Sequence, residues 1–179
     1  MLYTSQELEQ RAILDAAARI CAAARTAPKT MGMDGLVTCV LTGDEKKQLA
    51  DKMRELADSL SLAFFRRDAD NLDRADAVVL FAMHEQRRGI GAACRYCHFA
   101  DCAVCAQQDG LCAYDALDLG IAIGSASASA SDARVDSRVM FSVGRAAMAL
   151  GLPDKDATLV LGLPLSVSGK SPFFDRKPK

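Results

Sequence analysis

Five cysteines fall within nineteen residues of this chain, in the order Cys94-x2-Cys97-x4-Cys102-x2-Cys105, with Cys112 further on. Thiolates are soft ligands that suit zinc and iron–sulfur clusters. A pair two residues apart lets one turn of chain present two sulfurs to one centre, so this segment can fold around a metal. A single zinc needs its four sulfurs about 2.3 Å from one point, and zinc ribbons usually separate their cysteine pairs by a long excursion. A cubane instead offers ligand positions spread over a wider body. Only four residues separate the two pairs here, which favours an iron–sulfur cluster of the 4Fe-4S kind, with zinc as the alternative metal. Two ligand sets are open: Cys94, Cys97, Cys102 and Cys112, or the same set with Cys105 in place of Cys112. If residues 100–106 form a helical turn, Cys102 and Cys105 share a face and either can bind.

Other residue types add less. Clustered cysteines can be plain buried hydrophobes, but five so close make that a poor account. His98, inside the segment, is a candidate hydrogen-bond donor to sulfur rather than a ligand; His84 suggests no role. Gly169-Lys170-Ser171 matches the end of a phosphate-binding loop, yet Pro164 stands where the first glycine belongs and Pro172 opposes the following helix. Lys170 and Arg176 could still hold a phosphate or carboxylate, and Arg25 and Lys29 flank the Pro28 turn, where they could face an anion. Solvated surface charge is the plainer reading of all four. Asp132, Arg134, Asp136 and Arg138 alternate in sign, as a solvated or salt-bridged stretch does. Phe173 and Phe174 should dock onto the domain or a second subunit, since two exposed aromatics are unfavourable.

The elements that must position these groups are partly announced. Thr4 and Glu7 predict a capping box, with Tyr3 and Leu8 as its hydrophobic staple. Leu8, Ala12, Ala16 and Ile20 predict a helix ending before Pro28. Residues 36–41 read as a strand. Thr42 and Glu45 predict a second capping box, opening a helix whose face is Leu49, Met53, Leu56 and Leu60. Residues 62–65 suggest a brief strand, and 77–82 a buried central one. A helix with a frayed Ser-Ala end is expected over 114–130, where Gly120, Gly124 and Ala128 would let another backbone approach. A further helix spans 137–150, closed by Gly151. Residues 157–163 form the last strand, and an irregular tail starts at Pro164.

The chain has 179 residues, half of them hydrophobic and a quarter charged, with a formal net charge of −1. That length suits one α/β or α+β domain. The near-neutral charge gives no reason to expect nucleic acid as partner. The N-terminal residues do not read as a signal peptide, and no apolar run is long enough to span a bilayer. The expected location is cytoplasmic, with reduced thiols.

Several stretches together resemble a known family. They are residues 24–30 (ARTAPKT), the cysteine segment, 118–126 (DLGIAIGSA), 162–166 (GLPLS) and 168–176 (SGKSPFFDR). The chain is similar, nearly end to end, to uncharacterised bacterial and archaeal proteins described as ferredoxin-domain-containing, whose fold is related to the nitroreductases. The resemblance implies an α+β, nitroreductase-like domain over 1–179, with a mainly antiparallel central sheet flanked by helices and a cysteine-rich metal-binding insertion at about 84–113. It maps the cluster ligands onto Cys94, Cys97, Cys102 and Cys112. Where such motifs commonly place glycine after the first two cysteines, this chain has Arg95 and His98. The resemblance further implies a homodimer and allows FMN at the subunit interface, with Arg25, Pro28, Lys29, Lys170 and Arg176 as candidate contacts. The arginine-rich segment that holds the flavin phosphate in nitroreductases has no counterpart at residues 2–7. The expectation is a redox protein, an oxidoreductase with unknown electron donor and acceptor. A non-catalytic protein with a structural zinc or cluster is the alternative.

Overall fold

The first helix, α1 (Ser5–Thr26), opens on the expected capping box: the Glu7 amide donates to Thr4 Oγ1 at 3.3 Å, and the Thr4 amide to Glu7 Oε2 at 2.7 Å. The computed structural model describes residues 1–174 of the chain. The buried stripe of α1 is Ile13, Ala16, Ala17, Ile20 and Ala24, while Leu8 is 51% exposed. A strict four-residue repeat drifts around a helix of 3.6 residues per turn, so a stripe correct at Ile20 has left the core by Leu8. Tyr3 is likewise 46% exposed, and Arg11 lies over its ring.

Four strands make one antiparallel sheet in the order β1-β2-β4-β3: β1 (Leu36–Leu41), β2 (Ala77–His84), β3 (Asp136–Ser137) and β4 (Ala157–Ser166). Every residue of β2 except His84 is buried, which explains its unalternating apolar sequence. Val79, Phe81 and Met83 face one layer, with α1 and α5 (Ala113–Asp132). Val78, Leu80 and Ala82 face the other, with α2 (Gly43–Ser59), α3 (Ala63–Arg74) and α6 (Phe141–Ala149). β4 continues through Pro164, contrary to the expected irregular tail. Pro164 pairs with Val78 on one side, and β3 pairs only with Leu165 and Ser166 on the other, so no ladder bond is demanded of the missing N–H.

Three local expectations fail for identifiable reasons. Residues 63–74 are helix, not strand: Phe65, Ala69 and Leu72 are buried at helical spacing among charged residues that hide the period. The Thr42 side chain makes no cap, because left-handed Gly43 (φ +52°) breaks the geometry that a capping box requires. Residues 137–140 precede α6 rather than belong to it, Ser137 being in β3. The Ser-Ala run is helical to Asp132, Gly151 closes α6 region at φ +70°, and Phe173 is buried while Phe174 is 64% exposed. No helix among the described residues is long and apolar enough to cross a membrane.

Lys46 of α2 closes the C-terminus of α3, its ammonium donating to the carbonyls of Leu72 (2.9 Å), Asp73 (3.1 Å) and Ala75 (2.7 Å). A cation there satisfies orphan carbonyls and the helix dipole together. Lys46→Met is expected to lower stability by about 1–3 kcal/mol, read as a fall in Tm by thermal denaturation; an unchanged Tm would rule the cap out.

Candidate metal centre

Between the end of β2 and the start of α5 the chain makes an excursion with little regular structure: a short 3-10 turn (Gly91–Ala93) and the six-residue helix α4 (Cys102–Gln107). Within residues 85–112 only Arg88 and Cys105 are buried. The excursion therefore has no apolar core of its own. Asp101 caps α4, accepting from the Val104 amide at 2.9 Å. The helical turn expected over 100–106 is present, and Cys102 and Cys105 stand one turn apart on it.

The cysteines gather around two adjoining cavities. One is lined by Cys94, Cys97, Cys102 and Cys112, together with Arg88 and Tyr114. The other is lined by Cys97, Cys102, Cys105 and Cys112, together with Arg87. Cys97, Cys102 and Cys112 are common to both, while Cys94 lines only the first and Cys105 only the second. All five are free thiols. Burial pushes the Cys105 thiol up, and its hydrogen bond with Cys97 adds to this. The Gly91 amide donates to Cys102 Sγ at 3.4 Å. Among the described residues no three His, Cys, Asp or Glu side chains converge closely enough to hold a single metal ion.

The residues after Cys94 and Cys97 explain how the segment turns without glycine. Arg95 has φ +53° and His98 φ +65°, the left-handed conformation for which glycine is normally used. The His98 amide donates to the Arg95 carbonyl at 3.0 Å, which closes the turn. Both side chains are exposed. Beside them, Tyr96 stacks on Tyr114 at 5.7 Å between centroids.

Beneath the cysteines lies a buried ionic network. Arg88 pairs with Asp115 at 2.9 Å and Asp118 at 2.5 Å, all three side chains at most 1% exposed. Asp118 also accepts from the Thr30 amide (3.0 Å) and hydroxyl (2.8 Å), and Asp115 from the Gln86 amide (3.1 Å). Burial opposes the Arg88 charge, but its bonds to Asp118 and Asp115 prevail and hold the guanidinium above its ordinary value. Burial likewise pushes the Asp115 carboxyl up. The network ties the α1–β1 turn, the start of the excursion and the first turns of α5 together. One sequence signal pointed to it: two aspartates three apart on an otherwise apolar helix need a buried cation. Arg87 and Arg88 each retain a buried Nε–H with no partner, a state worth about 1–3 kcal/mol if nothing accepts the bond. An acceptor in the cysteine cavities would relieve it, so the surroundings fit an anionic, sulfur-rich group.

The residues considered for a flavin are placed differently. Arg25 pairs with Asp34 at 2.5 Å and donates to the Leu36 carbonyl. Lys29, its side chain 7% exposed, donates to the carbonyls of Arg25 (2.6 Å) and Ala27 (3.0 Å). Pro28 lies between them. Both cations are thus engaged within the chain. The turn does reach the cysteine region, through Thr30, Asp118 and Arg88. Lys170 is exposed in the tail, and Arg176 lies outside the described residues. His84 hydrogen-bonds to Asp154 at 2.9 Å, away from the cysteines in sequence and in contacts. Arg138, from the alternating-charge stretch, pairs with Asp68 at 3.3 Å.

Residues 108–176 match a family model described as uncharacterized protein containing a ferredoxin domain. An uncharacterized protein from Archaeoglobus fulgidus is 35% identical over 187 residues, covering all of both chains. Solved structures with similar folds include the FMN-dependent nitroreductase NfnB from Mycobacterium smegmatis in complex with NADPH (12% identity, 93% of this chain and 84% of that one, TM-score 0.60). A nitroreductase family protein from Clostridium novyi (12%, 86% and 73%, 0.57) and nitroreductase A from Vibrio parahaemolyticus (16%, 92% and 61%, 0.54) are others. The chain spans about three fifths of the length of several such nitroreductases, including the Vibrio protein. The fold is nitroreductase-like, with the cysteine-rich excursion inserted between β2 and α5.

Proposed function

We infer the function from one premise: this chain belongs to the family of uncharacterized proteins containing a ferredoxin domain. We propose a redox protein that carries an iron–sulfur cluster of 4Fe-4S type on Cys94, Cys97, Cys102 and Cys112. When bound, such a cluster accepts and returns single electrons at a potential set by its surroundings. The carrying observation is the cavity lined by those four thiols. The protein residues supply the thiolates, the Gly91 amide at Cys102 Sγ, and the Arg88 network that anchors the excursion. An electron enters from a donor and leaves to an acceptor, and no bond within the protein is made or broken. This role needs no flavin at the Pro28 turn.

The protein is proposed to act as a homodimer. Leu117 and Ile121 are 48% and 47% exposed on α5, next to Gly120 and Gly124, where an added Cβ would meet nothing within 4 Å. This apolar strip adjoins a cavity of about 240 Å³ lined by Leu119, Phe141, Met148, Val160 and Leu161, among others. The small residues expected to admit another backbone find none within the chain, so a second copy is the proposed occupant.

A structural role for the metal is supported by a separate observation, the excursion's lack of a buried core. Anaerobic purification followed by a visible spectrum, iron, sulfide, zinc and flavin assays and a mass measurement on one sample tests both readings. Broad absorbance near about 400 nm with stoichiometric iron and sulfide is expected, at the mass of a dimer. Stoichiometric zinc in a colourless sample would replace the redox reading with the structural one.

A further inference from the structure

We propose that Arg87 and Arg88 are positioning residues that donate N–H hydrogen bonds to the sulfur atoms of the group held by the cysteines. This rests on the iron–sulfur reading above and extends it to two residues outside the ligand set. The two arginines are consecutive, yet each lines a different one of the two cavities around Cys97, Cys102 and Cys112. Each keeps a buried Nε–H without a hydrogen-bond acceptor among the described residues, and the Arg87 side chain interacts with the Cys105 thiol.

Both terminal nitrogens of Arg88, and Nη2 of Arg87, are already occupied. Arg88 gives its terminal nitrogens to Asp115, Asp118 and the Gln86 carbonyl. Arg87 pairs with Glu85 and donates to the Gly110 carbonyl at 3.2 Å. The guanidinium planes are therefore held by carboxylates and carbonyls, leaving the Nε–H groups over. Sulfur already serves as an acceptor in this segment, since the Gly91 amide donates to Cys102 Sγ. Arg88 is balanced by two aspartates, so what it offers the cysteine cavity is a directed N–H rather than an excess of positive charge.

Donors aimed at sulfur stabilise the more negative, reduced form of a cluster and so raise its potential. Arg88→Lys keeps a cation for Asp115 and Asp118 but removes the Nε–H, and Arg87→Lys does the same at the other cavity. The test is an anaerobic redox titration followed by electron paramagnetic resonance, on wild type, both single variants and Arg11→Lys as a remote control. Iron and sulfide are counted in every sample. Each single variant is expected to shift the reduction equilibrium about tenfold towards the oxidised form, about 59 mV for a one-electron couple, while the control stays in place. Fully loaded Arg87→Lys and Arg88→Lys proteins with the wild-type midpoint would overturn the inference. If Arg88→Lys fails to fold, the more exposed Arg87 decides alone: an unshifted midpoint there overturns it. A wild type without iron and sulfide would instead overturn the underlying cluster reading, and the metal count identifies that case before any variant is compared.

Discussion

Serine at position 97, 102 or 112 should leave the protein with iron near background. These three cysteines line both cavities, so the four thiols of either cavity include all of them. Cys102 has the further contact with the Gly91 amide. A serine oxygen is harder and less readily deprotonated than a thiol, and it suits iron–sulfur clusters poorly. The outer two cysteines should differ from each other. Cys94 lines the same cavity as Arg88 and Tyr114, whereas Cys105 is 2% exposed and crowds Gly110, where an added Cβ would stand 2.9 Å from its sulfur. Cys94→Ser is therefore expected to lose the cluster, and Cys105→Ser to keep it with full iron and sulfide. Iron and sulfide assays on anaerobically prepared variants decide this. Full occupancy in Cys102→Ser would dispose of the site as described, while loss in Cys105→Ser alone would exchange the two outer residues.

The second large effect concerns the framework. At Gly144 of α6, a Cβ would stand 1.8 Å from the Val160 carbonyl oxygen and 2.5 Å from its carbon. Both obstacles are backbone of β4, which is pinned by its pairing with β2. Gly162 makes the reciprocal approach from the strand, where a Cβ would meet Val143 Cγ1 at 2.1 Å. Helix and strand thus meet through two glycines, and neither can retreat without disturbing the sheet. Gly144→Ala is expected to cost about 3 kcal/mol or more, out of a typical total of about 5–15 kcal/mol. That corresponds to a fall in Tm of roughly 6–12 °C. Gly169→Ala is the control, because among the described residues nothing lies within 4 Å of a Cβ at that position. Equal melting temperatures for Gly144→Ala and wild type would contradict the packing.

The contrast between these glycines shows what was legible in the sequence. Gly120 and Gly124 were conspicuous because they share a helical face, yet a Cβ at either would meet nothing within 4 Å among the described residues. Gly144 and Gly162 carry the tightest contact and look unremarkable, since the approach is visible only once α6 lies on β4. The strands β1 and β2 were readable from apolar, β-branched runs, and α1 from its cap. α3 was obscured because charged residues surround its few buried positions. The clustering of the cysteines was evident from residue type and spacing alone, and the fold gathers them around adjoining cavities. The supporting arginines were not evident, because Arg88 meets Asp115 and Asp118 only through the return of the chain into α5. No local pattern distinguishes such an arginine from a solvated one.

The turns after Cys94 and Cys97 have a thermodynamic consequence for the proposed cluster. A left-handed conformation costs a residue with a Cβ about 1–2 kcal/mol, and Arg95 and His98 both adopt it. In a segment with no apolar core, much of that strain is relieved whenever the excursion unravels. Whatever holds it folded must offset the difference. Each 1.4 kcal/mol is about a factor of ten in an equilibrium constant, so the two residues together weaken the grip on a bound cluster by roughly one to three orders of magnitude relative to glycine. Retention of the proposed cluster would then be decided by two backbone torsions as well as by four sulfurs, and such a cluster would leave more readily than its ligand set alone would suggest.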